Sequence, residues 1–238
     1  MKCSIVITNY NQSTFLETSI KSAFSQDFPK DEYEIVIVDD GSTDNSVQKV
    51  DDYISSIDTA GVSFKLLIKD NGGTASARNL GVQQSIGEYI CFLDADDEYG
   101  TEKLSRSISE IEIYPRVGVV YSDYIEMDES GGKRVTFKAP FDAAVLMSHC
   151  MVSTNSMVSR EAFDKVGGFD TSIKGCEDYD FWLRVSNAGF MIRHIPEVLF
   201  TYRCHSGQKT QTYNMEEWAK EEGFIKERAR HGGSFVQN

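Results

Sequence analysis

The chain has 238 residues, 40% hydrophobic and 26% charged, enough to bury a sizeable core in one large or two small domains. Its formal net charge of −13 argues against a nucleic-acid partner, whose phosphate backbone it would repel. If the ligand is anionic, a metal ion or a few local cations must reverse the sign at the site.

Ile5 to Thr8 predicts a first strand, ending in the polar loop Asn9-Tyr10-Asn11-Gln12. A helix follows, with Thr14 and Glu17 at capping-box spacing and Phe15, Leu16, Ile20, Ala23 and Phe24 at helical intervals, closed by Pro29. Glu34 to Val38 is a β-branched strand running into Asp39-Asp40-Gly41-Ser42-Thr43-Asp44, and the next helix carries Val47, Val50, Ile54 and Ile57 on one stripe. Phe64 to Ile68 is a third strand, followed by Asn71-Gly72-Gly73 and a helix through Ala75 to Asn79. Tyr89 to Leu93 is a fourth, without charge and suited to burial on both faces. It ends in Asp94-Ala95-Asp96-Asp97-Glu98.

Beyond Asp97 the rhythm changes. Thr101 to Ile113 predicts a helix with Leu104, Ile108 and Ile111 inward, stopped by Pro115. Val117 to Met127 and Arg134 to Phe137 are strand-like around the turn Ser130-Gly131-Gly132. Residues 140–152 are ambiguous; Ser156 to Ser159 suits a strand and Glu161 to Val166 a short helix. Glu177 to Ala188 is a helix that Gly189 can cap, and Met191–Ile195 and Val198–Tyr202 read as two closing strands. The tail, Asn214 to Arg230, is a polar helix with Met215, Trp218, Ile225 and Ala229 on one stripe, suited to docking on the body or on a partner.

Strands alternating with helices imply βαβ units and a parallel sheet, whose ligands bind beyond the carboxyl ends of the strands. The polar clusters at 8–11, 39–44, 71–79 and 94–98 are therefore expected to converge in one crevice. Carboxylates at the end of a buried strand are costly unless a cation sits among them. Asp94 and Asp96 are two apart, so extended backbone would point both to one side, as a hard ion such as Mg²⁺ or Mn²⁺ requires. The structural alternative is a solvated acidic loop.

The five cysteines, at 3, 91, 150, 176 and 204, are odd in number and lack CxxC spacing, and Cys3 and Cys91 sit in apolar runs. They suggest a reducing, cytoplasmic setting without a zinc site. The apolar run near Met1 is too short for a signal peptide and no run approaches a membrane span, so a soluble protein is expected, with peripheral membrane contact left open.

Four segments carry a resemblance: Ser4-Ile-Val-Ile-Thr-Asn-Tyr-Asn11, Ile35-Val-Ile-Val-Asp-Asp-Gly-Ser-Thr-Asp44, Gly73-Thr-Ala-Ser-Ala-Arg-Asn79 and Phe92-Leu-Asp-Ala-Asp-Asp97. In order and spacing they resemble the inverting family 2 glycosyltransferases, which have the GT-A fold. Gly168-Phe169-Asp170 and Glu177-Asp178-Tyr-Asp-Phe-Trp182 resemble the family's acceptor-side pattern. The resemblance implies a Rossmann-like, mostly parallel sheet with a smaller antiparallel acceptor-side portion. The GT-A domain would span 1–205, with a nucleotide-binding half at 1–97 and an acceptor-binding half at 98–205. Residues 206–238 would form a tail with an amphipathic helix, open to a homodimer or membrane contact.

The resemblance also implies roles. Thr8 and Tyr10 would line a base pocket, Asp40 or its neighbour Asp39 would accept from a uracil or thymine ring N–H, and Arg78 would lie nearby. Asp94-Ala95-Asp96 corresponds to the DXD motif, with Asp94 facing the ribose and Asp96 ligating Mn²⁺ or Mg²⁺ on the diphosphate. His205 resembles an occasional further metal ligand. Asp178 matches the base that deprotonates an acceptor hydroxyl, with Glu177 and Asp180 as neighbouring competitors. Trp182 packs below the acceptor or is core.

Each role has a plainer structural alternative. Asp39 and Asp40 suit Asx turns and helix capping, although Ser42 and Asp44 fit capping better. Arg78 suits a helix surface, His205 an exposed loop, and Asp178 an acid complementing a helix N-terminus. The whole implies a metal-dependent inverting transferase that moves a sugar from a nucleotide-diphosphate donor, favouring UDP, to an acceptor hydroxyl of a glycan, as in polysaccharide biosynthesis. The absence of a QxxRW signature and of spans disfavours a processive synthase. Rival readings are a degenerate nucleotide-sugar-binding protein, a receiver domain and a haloacid-dehalogenase-like phosphatase. In the phosphatase Thr or Val usually stands where this chain has Glu98.

Overall fold

The computed structural model describes residues 1–114 and 116–231. Strand β1 (Cys3–Asn9) is followed by helix α1 (Leu16–Phe24), β2 (Tyr33–Asp39), α2 (Ser46–Ser56), β3 (Ser63–Ile68), α3 (Thr74–Gln83) and β4 (Tyr89–Asp94). Then come β5 (Glu98–Tyr99), α4 (Lys103–Ile113), β6 (Val117–Met127), β7 (Lys133–Thr136), α5 (Ala143–Ser148), β8 (Met157–Ser159) and α6 (Arg160–Val166). The last elements are α7 (Glu177–Asn187), β9 (Met191–Arg203), α8 (Lys209–Thr212) and α9 (Met215–Arg230).

One sheet in the order β3-β2-β1-β4-β8-β6-β9-β5 carries all of this, with β7 paired to β6 outside that path. The first four strands are parallel, with Cys3 aligned to both Tyr33 and Tyr89. Every residue of β1 and β2 is buried, as expected of β-branched runs covered by helices on both faces. Alternation divides them: Cys3, Ile5 and Ile7 pack with Leu16, Ile20, Val50, Leu104 and Ile108 on one side. Val6, Ile90 and Phe92 face Ala75, Val82, Phe163, Phe181 and Trp182 on the other. The sheet becomes mixed where β8 runs antiparallel to both β4 and β6, while β9 returns parallel to β6.

Several expectations need correction. Thr14 and Glu17 form no capping box: α1 starts at Leu16, and its first turn has no side-chain cap. The two closing strands are one 13-residue strand, β9, which carries Pro196 through a register shift opposite Ser122 and Asp123. Proline is tolerated there because the ladder is already interrupted. The ambiguous stretch holds α5, capped by Asp142, which accepts from the N–H groups of Ala144 and Val145. Gly189, at φ 85°, follows the end of α7 as expected. The helix stop assigned to Pro115 and the tail's last residues, 232–238, lie outside the described residues.

The tail helix docks on the body. Ile225 of α9 is buried, Arg228 pairs with Asp170 and Asp180, and Glu221 accepts from the backbone N–H groups of Lys174, Gly175 and Cys176. Met215, expected on the packed stripe, is instead 72% exposed. No helix among the described residues is long and apolar enough to cross a membrane.

Candidate active site

The carboxyl ends of β1, β2 and β4 open onto a cavity of about 440 Å³. Thr8 and Tyr10 reach it from β1 and its loop, Asp40 from the end of β2, Arg78 from α3, and Asp94 and Asp96 from the end of β4. Glu177 and Asp178 enter from the first turn of α7. Four segments spread over the first hundred residues thus meet as expected, joined by the α7 acids.

Arg78 is the floor of the site. Almost wholly buried, it holds Asp94 Oδ1 at 2.7 Å and Glu177 Oε1 at 3.2 Å. Burial disfavours its charge, but the charges of Asp94 and Glu177 outweigh that and raise its pKa. It is therefore no surface arginine. Asp94 also accepts from Thr8 Oγ1 at 3.3 Å, and Lys209 Nζ reaches Glu177 Oε2 at 2.7 Å.

Past Asp94 the chain turns instead of staying extended, with the Asp97 N–H donating to the Asp94 carbonyl. Asp94 and Asp96 therefore do not present themselves as alternating strand residues. Both still line the cavity, and Asp96 Oδ2 lies 3.0 Å from His205 Nε2. Burial, and next the charge of Asp94, push the Asp96 carboxyl upward. Among the described residues no group of three or more His, Cys, Asp or Glu is arranged to hold an ion. Asp96 and His205 supply one oxygen and one nitrogen donor. A hard divalent ion commonly takes one or two protein ligands and completes its shell with phosphate and water, so this pair fits such an ion. Asp97 is buried, with one oxygen accepting from Asn155 Nδ2 at 2.5 Å and the other from the Arg203 N–H at 2.9 Å, and it lines no part of the cavity.

Asp178 accepts from Thr154 Oγ1 at 3.1 Å and from the N–H of Tyr179 at 2.8 Å. Burial and then the neighbouring Glu177 charge raise its pKa, against the lowering pull of Arg78. A carboxylate so placed is a better base than one in water. Its competitors are occupied: Glu177 by Arg78 and Lys209, and Asp180 by Arg184 and Arg228.

Other candidates fall differently. Asp40 lines the cavity but already accepts from Lys69 Nζ at 2.6 Å, Gly72 N–H at 3.0 Å and Gly73 N–H at 2.7 Å. About one of its four lone-pair positions is left. Asp39 is not brought into the cavity: it accepts from Asn9 Nδ2 on the neighbouring strand β1 and from the Ser42 N–H within its own turn. Trp182 is fully buried in the core and lines no part of the cavity, while Gly168, at φ 75°, packs against Asn79 behind it. The sequence reading missed the outer wall, made by Gln208, Lys209, Thr210, Thr212 and Trp218. Of these only Trp218 carried a signal, its place on the tail's apolar stripe.

The family described as Glycosyl transferase family 2 matches residues 4–167. An uncharacterized glycosyltransferase of Rickettsia typhi is 30% identical over 94% of this chain and 71% of its own length. The Escherichia coli protein WfaP, a UDP-Glc:alpha-D-GlcNAc-diphosphoundecaprenol beta-1,3-glucosyltransferase, is 31% identical over 86% of this chain and 78% of its own. The crystal structure of Staphylococcus aureus TarS 1–349 in complex with UDP-GlcNAc superposes with a TM-score of 0.78 at 22% identity, over 94% of this chain and 64% of that one. The last likeness fixes the fold, which is that of the GT-A enzymes.

Proposed function

The chain belongs to glycosyltransferase family 2, and from that premise we propose that it transfers a sugar with inversion from a UDP-sugar to an acceptor hydroxyl of a glycan. One observation carries the reading: Asp94, Asp96, Arg78 and Asp178 surround a single cavity at the strand tips. UDP is favoured by the donors named for WfaP and TarS, and by the acceptor position left on Asp40, which suits a pyrimidine ring N–H. Tyr10, 47% exposed at the mouth, offers a face on which a base can stack.

In this reading Asp94 accepts from the ribose while Arg78 holds that carboxylate in place. Asp96 and His205 would hold Mn²⁺ or Mg²⁺, which when bound offsets charge on the diphosphate as a Lewis acid. Asp178 takes the proton from the acceptor hydroxyl as that oxygen attacks the anomeric carbon. The new C–O bond forms as the bond to the diphosphate breaks, and UDP leaves on the opposite face. One base serves one face, so a single carboxylate suffices.

Thermal denaturation with a panel of nucleotide-sugars and Mn²⁺ tests it, since bound ligand stabilises by mass action. A UDP-sugar should raise the midpoint most. No shift with any nucleotide-sugar would overturn the proposal.

A further inference from the structure

Behind Asp178 lies a second cavity of about 390 Å³ to which the roles above assign nothing. It shares Asp94, Thr154, Asp178, Tyr202, Thr210 and Trp218 with the first, so the base carboxylate stands where the two meet. The lining it adds includes the rings of Tyr124, Tyr179 and Phe200, beside the polar His149, Ser153 and Asn155. Aromatic walls with a few convergent polar groups make a small-molecule site, and a pyranose can lay its C–H face on such rings.

Of the two charged residues it adds, Glu222 is paired with Lys226; the other is Lys138. It stands in the segment after β7, where its backbone N–H donates to Asp123 Oδ1 at 2.8 Å. Its ammonium lies 5.5 Å from the centre of the Tyr124 ring. Arg78 and Lys209, the other lysine or arginine side chains lining the two cavities, are paired with Asp94 and Glu177. Lys138 forms no ion pair among the described residues, and burial pulls its pKa down. A partly desolvated cation that no carboxylate reaches at ion-pair distance is costly, and a directly bound anion would offset that cost more fully than Asp178, Glu126 and Asp123, which act on it from further away. The same anion would be repelled by Asp178 unless something fixed it away from the base.

Resting on the transferase reading above, we propose that this second cavity is the acceptor site. Lys138 there selects an acceptor sugar bearing an anionic group, a phosphate or a carboxylate, held apart from the hydroxyl that Asp178 deprotonates. Lys138 is on this account a specificity determinant and takes no part in donor binding.

Three probes share one ring and differ only at C6: methyl glucoside, methyl glucuronide and methyl glucoside 6-phosphate. Each is titrated by NMR into the full chain saturated with UDP. The expected result is that at least one anionic probe binds about tenfold or more tighter than the neutral one, roughly the effect of one charge-assisted contact. Whichever anion wins names the source, sugar phosphate or uronic acid. Lys138→Met should reduce that probe to the affinity of methyl glucoside while leaving UDP affinity unchanged, and Lys138→Arg should restore the preference. Equal binding of all three, binding of none, or an equal loss for all in Lys138→Met would overturn the proposal while UDP binding leaves the transferase reading standing. Failure of the wild-type chain to bind UDP would instead remove that reading, and this one with it.

Discussion

Asp96 Oδ2 and His205 Nε2 meet at 3.0 Å although 109 residues separate them. The contact exists because β9 returns beside β5 and delivers its end to the turn after β4. In the proposed reading the two side chains would hold a hard ion together and leave the rest of its coordination to diphosphate and water. UDP affinity measured by calorimetry should therefore rise when Mn²⁺ is added. Asp96→Asn or His205→Ala should lose at least about tenfold of the metal-dependent part, the lower end of what even an outer-shell partner contributes. Equal UDP affinity with and without the ion would remove the cation from the account.

Arg78 should matter for folding as much as for binding. Its side chain is 4% exposed and it neutralises Glu177, 6% exposed, as well as Asp94. Stripping one partner from a buried pair costs about 3–5 kcal/mol. Glu177 keeps Lys209 and Asp94 is partly open to solvent, so Arg78→Met should fall at about 3 kcal/mol. In a chain of this size that is about 6–12 °C in Tm. A Tm within a degree or two of wild type would show that the network contributes little.

Trp182 gives the opposite split. Fully buried against Phe181, it supports the helix that presents Asp178 without lining the cavity. Trp182→Ala should cost about 3–5 kcal/mol of stability. Assayed well below its lowered Tm, the folded fraction should keep the wild-type KM for acceptor. A selective rise in that KM would mean that Trp182 touches the acceptor.

The pH profile follows from Asp178. Burial, then Glu177, hold its carboxyl above the usual carboxylate range. Transfer needs the ionised form, so kcat/KM should rise with pH through this raised value, later than for an ordinary aspartate. The sign for stability is reversed. A raised carboxyl pKa favours the protonated folded chain, so this group's contribution is fullest at low pH and declines as pH rises through the folded value. An acid limb at the ordinary carboxylate position would contradict the burial argument.

Much of this was legible in the sequence, and the gaps have physical causes. Largely apolar runs at Ile5–Thr8, Glu34–Val38 and Tyr89–Leu93 alternating with helices give parallel strands, and the rule that ligands sit beyond strand ends places Thr8, Asp40, Arg78 and Asp94 together. The turn after Asp94 was not legible, because two aspartates two apart look alike in extended and turned backbone. The partners of Asp40 were not legible either, because Lys69 and the Gly72 and Gly73 N–H groups reach it only through the way β3 ends beside β2. The outer wall from Gln208 to Thr212 has no periodicity and is placed by side-chain partners, with Gln208 on the backbone of Arg203 and His205, and Lys209 on Glu177.

The most direct measurement is single-turnover transfer by Asp178→Asn with the donor found by thermal screening. The isosteric change keeps an oxygen that accepts from the Tyr179 N–H, with the Thr154 hydroxyl turning to accept from the amide, but removes the base. UDP affinity should be unchanged, while the rate of transfer falls by about two to four orders of magnitude. Transfer at close to the wild-type rate would contradict the assignment and place the base elsewhere.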